Sequence, residues 1–139
     1  MASGLYNIFK SEVMKGTFDL VNDTVRAKLL DNSHSFAASS VTNDQWADIS
    51  ANEISGTGYT ADGEALASKT VTVDNVDNEG VFDAADEAWT SATFSAYHCV
   101  LDDTTANFIL ASIDFGGVQT VSSGTFTIQW ASEGIINIT

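Results

Sequence analysis

This 139-residue chain has no proline, one cysteine, two histidines, and five Lys or Arg against nineteen Asp or Glu. Without proline, no turn is held by a fixed pyrrolidine ring and no slow X–Pro isomerisation enters folding. A lone Cys99 cannot close an internal disulfide, which fits a chain made in a reducing cytosol. Two histidines and one cysteine supply too few soft ligands for a zinc centre. His98 and Cys99 are sequence neighbours, so in a strand they point to opposite faces and cannot pair as base and nucleophile. No apolar run approaches the roughly 18 residues of a membrane helix. Residues 1–10 lack the basic start and apolar core of a secretory leader.

The few cations are unevenly placed. Lys10, Lys15, Arg26 and Lys28 stand against Glu12, Asp19 and Asp23 in the first thirty residues, a net of +1. From residue 31 onward only Lys69 opposes sixteen acids, a net of −15 within the total of −14. Such a body repels polyanions, which excludes direct nucleic-acid binding as an expectation. Apolar residues make up 44%, enough to bury a core and too many for a disordered chain. The length predicts one domain over 1–139.

Period-two patterning dominates the chain. Val25, Ala27 and Leu29 alternate with Arg26 and Lys28, predicting a half-buried strand with its charges in solvent. Val71 and Val73 alternate with Thr70 and Thr72. Phe126, Ile128 and Trp130 alternate with Thr125, Thr127 and Gln129. The stretch 92–101 carries large or apolar residues on both faces, as a central strand covered on each side would. Asp102–Thr105 and Gly116–Gly117 read as turns, Val118–Val121 as a short strand broken by Ser122-Ser123-Gly124, and Val81-Phe82 as an apolar pair in an acidic loop. Ile135, Ile136 and Ile138 close the chain. Between Ile49 and Val73, Gly56, Gly58 and Gly63 punctuate short apolar stretches and let the chain double back. These signals together predict an all-β fold, an antiparallel β-sandwich of about seven strands.

The N-terminal residues 1–16 depart from this pattern. Leu5, Ile8, Phe9 and Val13 share one face of a short helix, with Ser3 as its cap and Gly16 as its end. A helix this short needs a surface to pack on, either its own sheet or a partner chain. Asn43 is placed to cap a second helical turn bearing Trp46 and Ile49.

No catalytic constellation emerges, and no cofactor is expected. The best cation candidates are the acid clusters Asp74–Glu79 and Asp83–Glu87. In the first, Val76 stands where an EF-hand needs an oxygen and Glu79 where it needs glycine, so solvated loop acids are expected instead. Trp46, Trp89 and Trp130 are the tryptophans available to stack a sugar. Trp130 alternates with core positions, which leaves Trp89 the more open candidate.

One ordering of features stands out: a short N-terminal helix, a Val-x-Ala-x-Leu strand, a tryptophan loop, then Asn52-Glu53-Ile54-Ser55-Gly56-Thr57-Gly58-Tyr59, and a late Gly124-Thr125-Phe126-Thr127-Ile128 strand. Over nearly its whole length this resembles small virion structural proteins of tailed bacteriophages that share an NE-aliphatic-SG-x-GY pattern. The resemblance implies a non-enzymatic capsid decoration (cement) protein, made in the bacterial host cytoplasm and placed on the capsid exterior. Its implied partners are the major capsid protein and further copies of itself, usually as a homotrimer. It equally admits a tail-tip or tail-fibre module that binds host glycan, for which Trp89 and Tyr59 are the aromatic suppliers. The near-neutral N-terminal segment, with Tyr6, Lys10 and Lys15 taken as exposed beside Leu5 and Phe9, is the expected docking or inter-subunit element. On that expectation, deleting residues 1–16 leaves a folded domain that no longer binds particles, read by circular dichroism and particle co-sedimentation.

Overall fold

The computed structural model describes residues 3–39 and 44–139. In chain order these form β1 (Gly4–Leu5), α1 (Asn7–Met14), β2 (Val25–Leu30), α2 (Trp46–Ile49) running into a 3₁₀ turn at Ser50–Asn52, β3 (Glu64–Ala65), β4 (Thr70–Asp74), β5 (Glu79–Asp83), β6 (Glu87–Asp103), β7 (Phe108–Ile128) and β8 (Ile136–Ile138). All strand pairs are antiparallel, in a five-stranded sheet ordered β1-β7-β6-β2-β3 and a three-stranded sheet ordered β4-β5-β8. The all-β, sandwich-like expectation holds, with a short helix near the N-terminus.

The long β6–β7 hairpin organises everything else. On its inner face Val25, Ala27 and Leu29 of β2, Cys99 and Leu101 of β6, and Leu110 of β7 pack with Phe9 of α1 and with Phe82 and Ile136 of the small sheet. On the outer face Leu30, Val100 and Ile109 pack under Tyr6, Ile49, Phe36 and Trp46. β6 is covered on both sides only from His98 to Asp103; Thr93 and Ser95 are exposed on the outer face, so the two-sided cover expected over 92–101 is corrected for its first half, which no crossing segment among the described residues reaches. Lys28 is likewise covered and only 1% exposed, so β2 does not present its charges to solvent as the alternation predicts. Residues 31–39 and 44–53 fold across that face.

Other expectations are corrected. Asp102 and Asp103 belong to β6 and are buried; the turn lies at Thr104–Asn107. Gly116 and Gly117 do not end a strand: β7 continues through them, with φ of 76° and 149°, as an irregularity between the pairs His98–Asp114 and Ala96–Gln119. Ser122–Gly124 is a second such bulge, so the short strand 118–121 and the strand at 126–128 are one. Val81-Phe82 sits in a strand, β5. Helix α1 spans two turns and starts at Asn7 with Tyr6 before it; the Ser3 hydroxyl instead accepts the backbone N–H of Asp114 at 2.8 Å. Gly16 follows the helix with φ of 75°, as expected of a terminator. Asn43 lies outside the described residues; the Asp48 carboxylate accepts the N–H groups of Asp44 and Gln45 at the start of α2.

The Asn52–Tyr59 stretch is a clasp across the large sheet. Thr57 bridges Thr93 of β6, and Ile54 N–H donates to the Leu29 carbonyl. A methyl group at Gly56 would lie 2.7 Å from the Thr93 carbonyl oxygen; one at Gly58 would lie 2.8 Å from Ala92 Cα, at a φ of 80°. The glycines are there because backbone lies on backbone. Glu53 Oε1 accepts both the Tyr59 hydroxyl and the Asp62 N–H at 2.7 Å, while the Tyr59 oxygen accepts Leu29 N–H at 3.1 Å. Gly58→Ala is expected to destabilise the fold by about 3 kcal/mol, from positive-φ strain plus overpacking, with the urea midpoint as the readout; an unchanged midpoint would show that the loop lifts off at no cost.

Candidate functional site

The expected docking residues divide. Tyr6 is 1% exposed, and the Phe9 ring is buried against Phe18 with centroids 5.2 Å apart. Tyr6 packs edge-on to Phe36 at 4.9 Å, and burial pushes its hydroxyl up to about 12. Neither is available to a partner, and Tyr6 as an exposed contact is withdrawn. Leu5 lies half-buried in β1, paired with Ala111. Lys10 and Lys15 are exposed, but Lys10 reaches Asn7 Oδ1 at 3.2 Å and Lys15 contacts Glu12 at 2.6 Å. Helix α1 thus packs on its own body. Because Tyr6, just before the helix, and Phe9 within it both belong to the core, deleting residues 1–16 removes core side chains rather than a detachable arm.

Trp89 is internal at 2% exposure, whereas Tyr59 is half-buried. They join Phe94 and Phe126 in a ring cluster beneath the clasp, with centroid distances from 5.1 to 6.5 Å. The buried Trp89 ring cannot stack a sugar, and the half-buried Tyr59 ring is already engaged by Trp89 and Phe94. Cys99 is buried on the inner face while His98 lies on the outer, as the alternation predicts, and burial pushes the thiol up to about 12. The cysteine is a packing residue.

The outer face holds what sequence reasoning missed, a buried polar layer. Lys28 Nζ contacts Asp62 Oδ1 at 2.6 Å and Asp102 Oδ2 at 2.8 Å, and lies 4.3 Å from the centre of the Trp46 ring. Beside it, His34 Nε2 is 3.0 Å from Ser112 Oγ, and the His34 and His98 rings meet edge-on at 5.1 Å. His98 Nδ1 lies 3.8 Å from Asp114 Oδ1. A hydroxyl against an imidazole has the form of a nucleophile and base. Both Ser112 and His34 are sealed, however, at 1% exposure, leaving no room for a substrate. The signal that could have found this layer is the run of polar residues at alternate positions Lys28, His98, Asp102, Ser112 and Asp114 in otherwise apolar strands.

The acids Asp74, Asp77 and Glu79 bring carboxylate oxygens within 4.8 Å of one another at the β4–β5 turn. Their geometry is that of a turn: Asp74 Oδ1 accepts the N–H of Val76 and Asp77, and Glu79 Oε1 accepts the Asn137 amide. Among the described residues, two larger grooves stand out. A groove of about 410 Å³ runs between α1 and the small sheet, and one of about 600 Å³ follows the outer edge of β7. No known protein family, curated protein or solved structure matches the chain.

Two buried groups titrate in opposition. Burial, with Asp23 beside it, raises Asp103 from 3.8 to about 6. Its folded form holds the proton more tightly than the unfolded chain does, so its contribution is full in acid and lost as pH rises through about 6. Burial lowers His34 from 6.5 to about 4, with His98 adding to the shift and Asp31 and Asp114 opposing it. That contribution is full above 6.5 and lost as pH falls towards 4. The two partly cancel across this window. Asp103→Asn keeps an acceptor for the N–H groups of Thr105 and Ala106. It should be more stable than wild type at neutral pH and then lose stability steeply on acidification. His34→Gln should instead gain stability between about pH 6.5 and 4.5. Urea midpoints across pH check both, and variant curves parallel to wild type would mean that neither group titrates there.

Proposed function

We propose that this protein is a bacteriophage virion structural protein, a non-enzymatic capsid decoration (cement) protein that binds and stabilises the outer surface of the capsid. Its partners on this reading are the major capsid protein and copies of itself in a homotrimer. The observation that carries it is the uncovered inner face of the small sheet. Val71, Phe82 and Ile136 form one cross-strand rung, and Val73, Gly80 and Ile138 form the next on the same face. Phe82 and Ile136 reach the core, whereas Val71, Val73 and Ile138 are 56%, 75% and 49% exposed. Beside them the α1 groove is lined by Val13, Phe18 and Val21, and Met14 projects from the end of the helix. Apolar residues aligned on an open sheet face are what adhesion to a repeated protein surface uses, and many weak contacts reinforce one another on a particle.

The clasp supports the same reading, because every residue of the phage-like pattern that it uses serves packing or backbone approach rather than chemistry. A tail-tip or tail-fibre position is the second reading, favoured by the aromatic groove on β7.

Val73 is exposed enough for a charge there to leave the fold intact. Val73→Asp should lower occupancy on particles about tenfold or more, since the carboxylate must be desolvated in the contact. Mass-spectrometric copy number in purified virions reads this directly. Many copies in heads, reduced by the variant, is the expected result. Absence from heads, or a copy number matching a tail tip, would overturn the capsid assignment.

A further inference from the structure

The second groove differs in kind from the first. It follows β7 where that strand has lost its outer neighbour: β1 pairs only with Ala111 and Ser112, and β6 lies on the other side. Phe115, Phe126 and Trp130 supply aromatic surface, and Gln119, Thr127 and Gln129 supply polar groups. In a chain with net charge −14, no acidic, basic or histidine side chain among the described residues lines it.

We propose that this groove binds a neutral saccharide, with a sugar ring against Trp130 and its hydroxyls bonded by Gln119 and Gln129. Four observations support this ligand class. Phosphorylated or carboxylated ligands would meet no cation among the lining residues, and the neighbouring Asp86 carboxylate is engaged by the Trp130 backbone N–H. Glutamine amides and threonine hydroxyls both donate and accept, as sugar hydroxyls do. The volume of about 600 Å³ falls in the small-ligand range of roughly 300–1,000 Å³. The aromatic side is also held in place. Trp130 Nε1 donates to the Ala85 carbonyl and its backbone N–H to Asp86 Oδ1, both at 2.9 Å, while Phe126 packs on Phe94 at 5.1 Å. A fixed ring loses little freedom on binding.

An added strand fits this edge poorly. The bulges at Gly116-Gly117 and Ser122–Gly124, with Ser123 at a φ of 49°, interrupt its run of free N–H and C=O groups. The inference rests on the groove alone and holds for a capsid or a tail location.

The test titrates glucose, galactose, N-acetylglucosamine and their disaccharides maltose, lactose and chitobiose into the ¹⁵N-labelled full chain, followed by NMR. At least one sugar should produce saturable shifts of the Trp130 indole and the Gln119 and Gln129 amides, leaving the Trp46 and Trp89 indoles unmoved. The exposed Gln119→Ala and Gln129→Ala variants should keep the wild-type melting temperature and weaken binding about tenfold. Trp130→Phe should weaken it less than Trp130→Ala. No saturable shift with any sugar, or affinity unchanged in the glutamine variants, would overturn the proposal. So would Trp130 shifts that follow protein concentration instead of sugar, since those identify a contact between copies.

Discussion

Backbone lying directly on backbone, where the Asn52–Gly63 loop crosses the large sheet, is the constraint on which much of this structure depends. Gly56 and Gly58 touch the main chain of β6, and a methyl group at Gly63 would collide with the Ala27 carbonyl oxygen of β2. No side chain fits between the layers. That approach brings Ile54 into the core and sets Tyr59 under Glu53 and against Trp89 and Phe94. It also lets Arg26 bond the carbonyls of Asp62 and Gly63 at 2.8 Å. The loop is thus a fastening, and its glycines answer a packing demand rather than a ligand's.

The opposite side of the same sheet shows a different compromise. Burying Lys28, Asp102, His34 and His98 together carries a desolvation penalty that only mutual contacts offset. Lys28 is answered by two carboxylates and a tryptophan face. The histidines are not answered by charge to the same degree, so burial keeps both below their ordinary titration range. Burial raises Asp102 as well, against the pull of Lys28. The layer specifies how residues 31–39 and 44–53 seat on the sheet, because an apolar slip there would strand charges without partners.

Among the described residues, two surfaces stand apart from these internal demands. The small sheet is wider than the core beneath it, so its outer rung of valine and isoleucine meets solvent. The large sheet is longer than its neighbour strand, so the far part of β7 keeps an open edge floored by aromatic rings. The first surface is apolar and flat, suited to a protein partner. The second is uncharged, concave and rich in groups that both donate and accept, suited to a small neutral ligand.

The pattern of side chains along the sequence determined the strand-rich class, the inward faces of β2 and of Phe126 and Ile128, and the opposite facing of His98 and Cys99. Each follows from period-two alternation, which is a local property. Tertiary structure alone decided that Asp102 and Asp103 lie inside a strand, that β7 runs through Gly116-Gly117, and that Tyr6 and Phe9 face inward. It also decided that Lys28 is buried and that the outer aromatic surface comes from Phe115 and Trp130 instead of Trp89 and Tyr59. Glycine pairs and acid pairs mark turns only on average, and a long partner strand can carry a bulge through them. Burial depends on what crosses over a residue, and the segments that cross over these come from distant parts of the chain.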